Sequence, residues 1–324
     1  MTKDNKKKQP EKMPKLDLKE ILNMTDIYLL FGLMFMSLQA IYFFLSNSEI
    51  QRILYTNSVL IVGIIVIAYV DHHYTRGSFF RLARRLLLLP LIFVLYSESQ
   101  VFIKLINPVL YDNVLANWDL ALFGCQPNDI LYKIATPWLT EFLQFCYVNY
   151  FVIFVLIAVE LHIWHNNKLF SEFVDYIFFS FVLTYVLYYI FPAIGPRFYL
   201  YDFAKLNSDL PGVFLTNFFR DFVNTGGGIP KGGVPNPQDY IYRDCMPSGH
   251  TWITLTCIYF VIKHKMKLAW YIVPIGIGLI LSTVYMRYHY LVDVMAGVVL
   301  SIACIFIEPK IAMFFKNRLK FKSI

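Results

Sequence analysis

Long apolar runs recur along the chain, at roughly 27–46, 53–70, 86–106, 138–164, 170–191, 249–264, 268–286 and 289–308, with short polar stretches between them. Each is close to the ~20 residues that an α-helix needs to cross a ~30 Å hydrocarbon core at ~1.5 Å per residue. Lipid offers backbone groups no partner, so such runs must be helical. The pattern predicts an all-α membrane protein with about eight transmembrane helices. Two stretches break the rhythm. Residues 107–137 contain "YDNVLANWDLALFG", whose apolar positions fall at near-helical spacing and predict an interfacial or re-entrant helix rather than a ninth span. Residues 192–247 are rich in Gly and Pro ("TGGGIPKGGVPNP"). No Gly-Lys-Ser/Thr follows those glycines and no strand precedes them, so a phosphate-loop reading fails and a flexible lid or linker is expected.

Composition agrees with the periodicity: of 324 residues, 57% are hydrophobic and only 16% charged. The first run follows a basic, polar segment without a small-residue cleavage site, and reads as an anchor rather than a signal peptide. Placing the N-terminus in the cytoplasm puts 20 of the 29 Lys and Arg on the inner side. The net charge of +7 is then an inner-leaflet signature and not a nucleic-acid footprint. The expected organisation is a cytoplasmic basic tail (1–26), two N-terminal transmembrane helices (27–85), a six-helix core (86–308) with outer loops 107–137 and 192–247, and a basic cytoplasmic tail (309–324). Cys125 and Cys245 both fall on the outer side, where a disulfide is chemically permitted.

Three segments then bring polar groups to span boundaries on that outer side. "FPAIGPRFY" carries Arg197, "CMPSGHTW" carries Ser248, Gly249 and His250, and "STVYMRYHYLVDVMAG" carries Arg287, His289 and Asp293. Ionisable groups at membrane depth are expensive and mark working sites. His289 and Asp293 are four apart and share a helix face, so the carboxylate can hold the imidazole in one tautomer, leaving the other nitrogen as nucleophile or base. Ser248 stands before a predicted helix start, whose free N–H groups favour an anion, and Gly249 permits close approach. Arg197 and Arg287 can fork onto phosphate oxygens, with Arg243 a third candidate. No acidic cluster accompanies them, so neither a metal nor another cofactor is expected. In the third span, Glu98 and Gln100 either line a substrate cavity or pair with Lys104.

At these residues the chain resembles the type 2 phosphatidic acid phosphatase superfamily. "PSGH" at 247–250 and "HYLVD" at 289–293 match that family's second and third motifs, in the same order. Ile190 stands where the first motif has lysine, Phe198 replaces its proline, and Thr283 stands where the third motif has arginine, leaving Arg287 as its stand-in. With "WDLALFGCQP" upstream, these departures resemble the inositol phosphorylceramide synthase-like, or inositolphosphotransferase, branch. The resemblance implies a metal-independent phosphatase or lipid phosphotransferase in lipid metabolism. His289 would attack phosphorus, Asp293 orient it and His250 protonate the leaving oxygen, while the arginines bind the phosphoryl group. The partners it implies are a lipid phosphate or phospholipid within the bilayer and, for transfer, a lipid hydroxyl acceptor. The site would face the periplasm, a lumen or the cell exterior. Lone histidines away from these motifs (His72, His73, His162, His165, His264) read as interfacial residues; a transporter would need related halves that the sequence lacks, and a non-catalytic lipid-phosphate binder would keep the arginines but could lose a histidine, whereas both are present.

Overall fold

Proline, polar caps and glycine punctuate the apolar runs, and the helices begin and end at them. In the computed structural model residues 18–45, 47–74, 78–165, 167–231 and 234–319 are described. The outermost parts of both expected basic tails lie outside these residues.

Among the described residues the protein is all-helical, without a strand. A turn, α1 (Leu18–Ile21), leads into α2 (Met24–Tyr42) and α3 (Ser48–Tyr74); α4 (Ser78–Leu88) and α5 (Pro90–Ile106) follow. The stretch 107–137, expected to lie outside, forms α6 (Asp112–Phe123) and α7 (Pro127–Tyr132). Then come α8 (Pro137–Val148), α9 (Tyr150–Trp164) and α10 (Asn167–Leu187). The second outer stretch folds into α11 (Pro196–Tyr199), α12 (Leu206–Asp209) and α13 (Thr216–Gly226). Finally α14 (Gly249–Lys263), α15 (Ala269–Tyr285) and α16 (Leu291–Leu319) close the bundle.

Among the described residues five helices are long and apolar enough to cross a membrane: Met24–Tyr42, Ser48–His73, Ala83–Ile106, Asn167–Leu187 and Leu291–Arg318. α8 and α9 make a sixth if taken together, although a 51° bend separates them. The bend falls at Asn149, whose amide donates to Phe145 O (2.8 Å) while its carbonyl accepts from Tyr271 OH (2.8 Å). α14 and α15, at 15 and 17 residues, are shorter. α3 leans on α2 and exposes Tyr55, Val59, Val62 and Val66, an apolar face suited to lipid.

Local chemistry sets the ends. Asn23 and Asp26 form a capping box at the start of α2. Proline occupies the first turn of α5, α7 and α8, where its missing N–H costs nothing. Gly124 ends α6 in the left-handed conformation (φ 72°). Other helix starts borrow caps from distant elements: Glu160 of α9 accepts the N–H groups of Lys267 and Leu268 before α15. Glu141 of α8 accepts those of Val213, Phe214, Leu215 and Thr216 before and at the start of α13. The second outer stretch is therefore more than a flexible linker: its helix α13 packs on α8 and is fastened there by Glu141.

At the opposite end of α10 and α16 from the motifs lies a buried polar network. Arg84 pairs with Asp26 and Asp71, and Arg85 with Asp175 (3.0 Å). Thr25 donates to Asp175 (2.6 Å), and Tyr28 donates to Glu308 (2.8 Å). Two of the arginines expected to mark the inner face are thus held inside the bundle by carboxylates. Glu98 follows neither expectation: it accepts from Asn57 of α3 at 2.9 Å, while Lys104 donates to Asp239 O and Gln100 accepts the Arg243 N–H.

Candidate active site

His289 sits in the tight connection between α15 and α16. Arg287 turns the chain through the left-handed region (φ 63°), unusual for a residue with a Cβ. The N–H groups of Tyr288 and His289 both then donate to Thr283 O at 2.9 Å. Asn128 of α7 clasps the same turn, donating to Val284 O (2.7 Å) and His289 O (3.3 Å). From α6, Asp119 accepts the N–H groups of Leu291 and Val292 (both 2.9 Å) and caps α16. Asp112 accepts those of Ile194 and Gly195, and the Tyr290 hydroxyl. Burial raises both carboxyls above the ordinary range, and these N–H donors oppose the rise. Gly195 (φ 91°) has no substitute here, since a Cβ would lie 2.6 Å from Tyr288 O.

The imidazole is oriented by the backbone more than by the carboxylate. His289 Nδ1 lies 2.8 Å from Cys245 O, and a carbonyl only accepts, so Nδ1 carries the hydrogen and Nε2 a free lone pair. Asp293 Oδ2 is 3.5 Å from Nδ1; its closer partners are Tyr290 N (2.8 Å) and the Cys245 thiol (2.9 Å). Burial, then the adjoining Asp293, pushes that thiol up from its ordinary range. Cys125 and Cys245 are both free thiols.

His250 opens α14 beside this arrangement, its ring centroid 5.7 Å from that of His289 in an edge-to-face pose. Tyr147 and Tyr150, on either side of the bend between α8 and α9, pack on it at 4.7 and 4.4 Å. Ser248 caps α14 by accepting from Thr251 N (3.3 Å), while its own N–H donates to Asp293 O (3.1 Å). The helix start bearing His250 is thereby tied to the helix bearing Asp293. Gly249 lets α14 approach the end of α10, where a Cβ would lie 3.2 Å from Thr184 Cγ2 and 2.9 Å from the hydroxyl of Tyr188 just beyond it.

His250, His289, Arg197, Gly249 and Cys245 line one cavity of about 200 Å³. Its walls are aromatic, with Tyr96, Tyr147, Tyr150, Tyr185 and Tyr188 near the polar groups and Phe93, Phe151 and Phe181 alongside. Phe222 and Gly226 of α13 also line it. Arg197 is nearly buried; its guanidinium lies 4.5 Å from the Tyr288 ring centroid and donates to Asn224 Oδ1 (2.8 Å).

The other two arginines are not brought to this cavity. Arg287 donates to Asp209 Oδ2 (2.8 Å) and stacks on Tyr201 (3.9 Å) and Tyr132 (5.0 Å), so the left-handed turn delivers it to the two long connections, 107–137 and 192–247. Arg243 is spent on the carbonyls of Asn107 and Pro108, and burial lowers its pKa. Ser248 acts in the lining's support rather than in the lining.

Sequence reasoning missed Cys245, Asp244, Asp112, Asp119 and the tyrosines. It also expected no group of metal ligands, whereas Cys245, His289 and Asp293 place ligand atoms within 4.8 Å of one another. Cys245 enters from 44 residues away, a proximity that local spacing does not express. Two carboxylates seven apart in "DNVLANWD", sharing one face of the helix, were the one visible signal for Asp112 and Asp119.

A helical membrane protein that gathers two histidines, a carboxylate and an arginine at one end of its bundle belongs to a recognisable class. The sequence model of the PAP2 superfamily matches residues 120–307, and the chain belongs to that superfamily of membrane phosphatase-like proteins. A PA-phosphatase related-family protein of Dictyostelium discoideum is 25% identical over 224 residues, covering 60% of this chain and 37% of the relative. The chain thus spans little more than a third of that relative's length. No solved structure matches the chain.

Proposed function

We propose that this protein is a lipid phosphatase or phosphotransferase that works through a phosphohistidine at the outer membrane face. The observation that carries the reading is the fixed tautomer of His289: its Nδ1 hydrogen is held by Cys245 O, leaving a lone pair on Nε2 of a ring whose centroid lies 5.7 Å from that of His250. His289 Nε2 attacks phosphorus and the P–O bond to the leaving group breaks. His250 gives the departing oxygen its proton, then takes one from the water or lipid hydroxyl that attacks the phosphohistidine. Asp293, bonded to Tyr290 N and the Cys245 thiol, sets the first turn of α16 and places a negative charge near Nδ1 as the imidazole gains positive charge. Arg197 clamps the phosphoryl oxygens with the start of α14; Arg287 serves the site through Asp209, as an anchor of the outer loops.

Lipid is the substrate class that the walls favour. Phe93 lines the cavity while standing about half exposed on the bundle surface, so an apolar flank runs from the histidines to the side of the protein. An acyl or isoprenoid chain would lie there with its phosphate turned to the polar end. Hydrolysis is the first reading. Head-group transfer, in the manner of inositol phosphorylceramide synthases, is the second. It is favoured by Asp244, which lines the cavity, accepts from Tyr96 and offers a carboxylate to a hydroxyl-bearing head group or acceptor.

The discriminating experiment incubates purified protein with defined lipid phosphates and phospholipids, with and without ceramide or diacylglycerol, and analyses products by mass spectrometry. Release of inorganic phosphate without an acceptor supports hydrolysis. A phosphorylated head group appearing on the added lipid supports transfer. Neither product from any lipid would overturn the reading.

A further inference from the structure

We propose that Cys245, His289 and Asp293 form a site for a soft divalent cation, Zn²⁺ or Cd²⁺, whose occupation switches the histidine off. The geometry is close to what such an ion demands. Ligand atoms on tetrahedral bonds of ~2.0–2.3 Å stand about 3.3–3.5 Å apart. Here Cys245 Sγ and His289 Nδ1 are 3.5 Å apart, and Nδ1 and Asp293 Oδ2 are also 3.5 Å apart. Of the three edges only Sγ–Oδ2, at 2.9 Å, has to open, and His289 Nδ1 has to give up its bond to Cys245 O, whose carbonyl must swing aside for the ion.

Three further features favour an ion here. A thiolate and a carboxylate together neutralise a dication, so the filled site carries no net charge where charge is costly. Asp293 is fully buried, and its Oδ1 has no hydrogen-bond partner among the described residues, so protein donors leave part of the carboxylate's charge unmatched for a cation. Cys245 and His289 both line the cavity, which gives the ion a way in. A sulfur, an imidazole nitrogen and one carboxylate suit Zn²⁺ and Cd²⁺ and disfavour Mg²⁺ and Ca²⁺, which prefer oxygen.

Binding would silence the nucleophile through its tautomer. The ion takes Nδ1, whose hydrogen relocates to Nε2, and the thiol releases its proton to solvent. Neutral imidazole has one lone pair, so the nitrogen facing the substrate then bears a hydrogen and cannot attack. This inhibitory half rests on the reading of His289 as nucleophile; the binding half does not.

The test separates them. Purified wild-type protein is titrated with Cd²⁺ and followed by thiolate-to-cadmium charge-transfer absorption, with Cys125→Ala, Cys245→Ser and Cys245→Ala alongside. Cys245→Ser keeps a hydroxyl for Asp293 should the alanine variant fail to fold. Stoichiometric absorption in wild type and Cys125→Ala, lost in the Cys245 variants, supports the site. No absorption in wild type, or absorption surviving in Cys245→Ser, overturns it. Inhibition by Zn²⁺, normalised to each variant's own metal-free rate, should need at least the roughly tenfold to hundredfold more ion that loss of an outer-shell partner costs, since Cys245→Ser removes a direct thiolate ligand. Stoichiometric binding without inhibition would leave the site standing and overturn the nucleophile reading.

Discussion

Asp119 of α6 holds both N–H groups that open α16, Leu291 and Val292, at 2.9 Å each. A helix start two residues beyond His289 is thus capped by a side chain 172 residues earlier in the chain. Asp119→Ala should cost about 1 kcal/mol of stability, as lost helix caps do. It should also lower kcat about tenfold or more by loosening the imidazole, with KM little changed. Asp119→Asn, which keeps one acceptor, should recover part of the rate. Thermal denaturation and steady-state kinetics check this; an unchanged kcat in Asp119→Ala would remove Asp119 from the positioning of His289.

The two histidines should fail at different steps. His250→Ala is expected to slow turnover of a natural lipid by about 10²–10⁴, the usual worth of a general acid. It should still form phosphoenzyme from an activated ester such as a nitrophenyl phosphate, whose leaving group needs no proton. His289→Ala should form none from either substrate. Acid-quenched trapping of labelled protein makes the comparison, and reversed behaviour of the two variants would exchange their roles.

Activity should survive EDTA if, as proposed, His289, His250 and Arg197 handle the phosphoryl group without a metal. If trace zinc occupies the cluster at Cys245, chelation should raise the rate. A loss of turnover that a divalent cation restores would refute the metal-free mechanism.

Arg287 and Asp209 should behave as one unit. Removing either partner costs about 2 kcal/mol, since their hydrogen bond is charged and mostly buried. The double variant should cost little more than either single one. Arg197→Ala, in contrast, should lower kcat/KM more than it lowers stability. Equal kinetic losses for Arg197→Ala and Arg287→Ala, without a loss of stability in Arg287→Ala, would return Arg287 to the phosphoryl group.

Orientation is open to a direct test. In a background without native cysteines, an impermeant thiol reagent on intact cells should label a cysteine at position 236 and spare one at 265. The opposite pattern would invert the proposed topology.

The bundle and the two histidines were legible because their signals are local. Apolar runs of about the right length, and "PSGH" and "HYLVD" at span boundaries, are written in consecutive residues. What escaped depends on distant partners. The proximity of Asp293 to His289 was visible as an i,i+4 pair, yet the nearer partner of Nδ1 is a main-chain carbonyl, which no residue type reveals. Arg287 looked like a phosphate clamp because Asp209 lies 78 residues away. Tyr147 and Tyr150 were submerged in an apolar run whose break at Asn149 became visible only with the 51° bend. The second outer stretch looked loose because its order comes from Glu141, a cap supplied from another helix.

The pairing of Arg85 with Asp175 bears on how the chain can be divided. Asp175 belongs to α10, inside the expected catalytic core, whereas Arg85 closes the segment expected to be a separate N-terminal addition. A charge that is comfortable only when matched makes the front of the chain a counter-ion for the back. Trimming the protein to begin at residue 86 would strand a carboxylate in α10, with Thr25 and Arg85 gone together. A fragment beginning at residue 86 should therefore settle in a bilayer less readily than the whole chain, because it carries a buried charge whose match lies in the part removed.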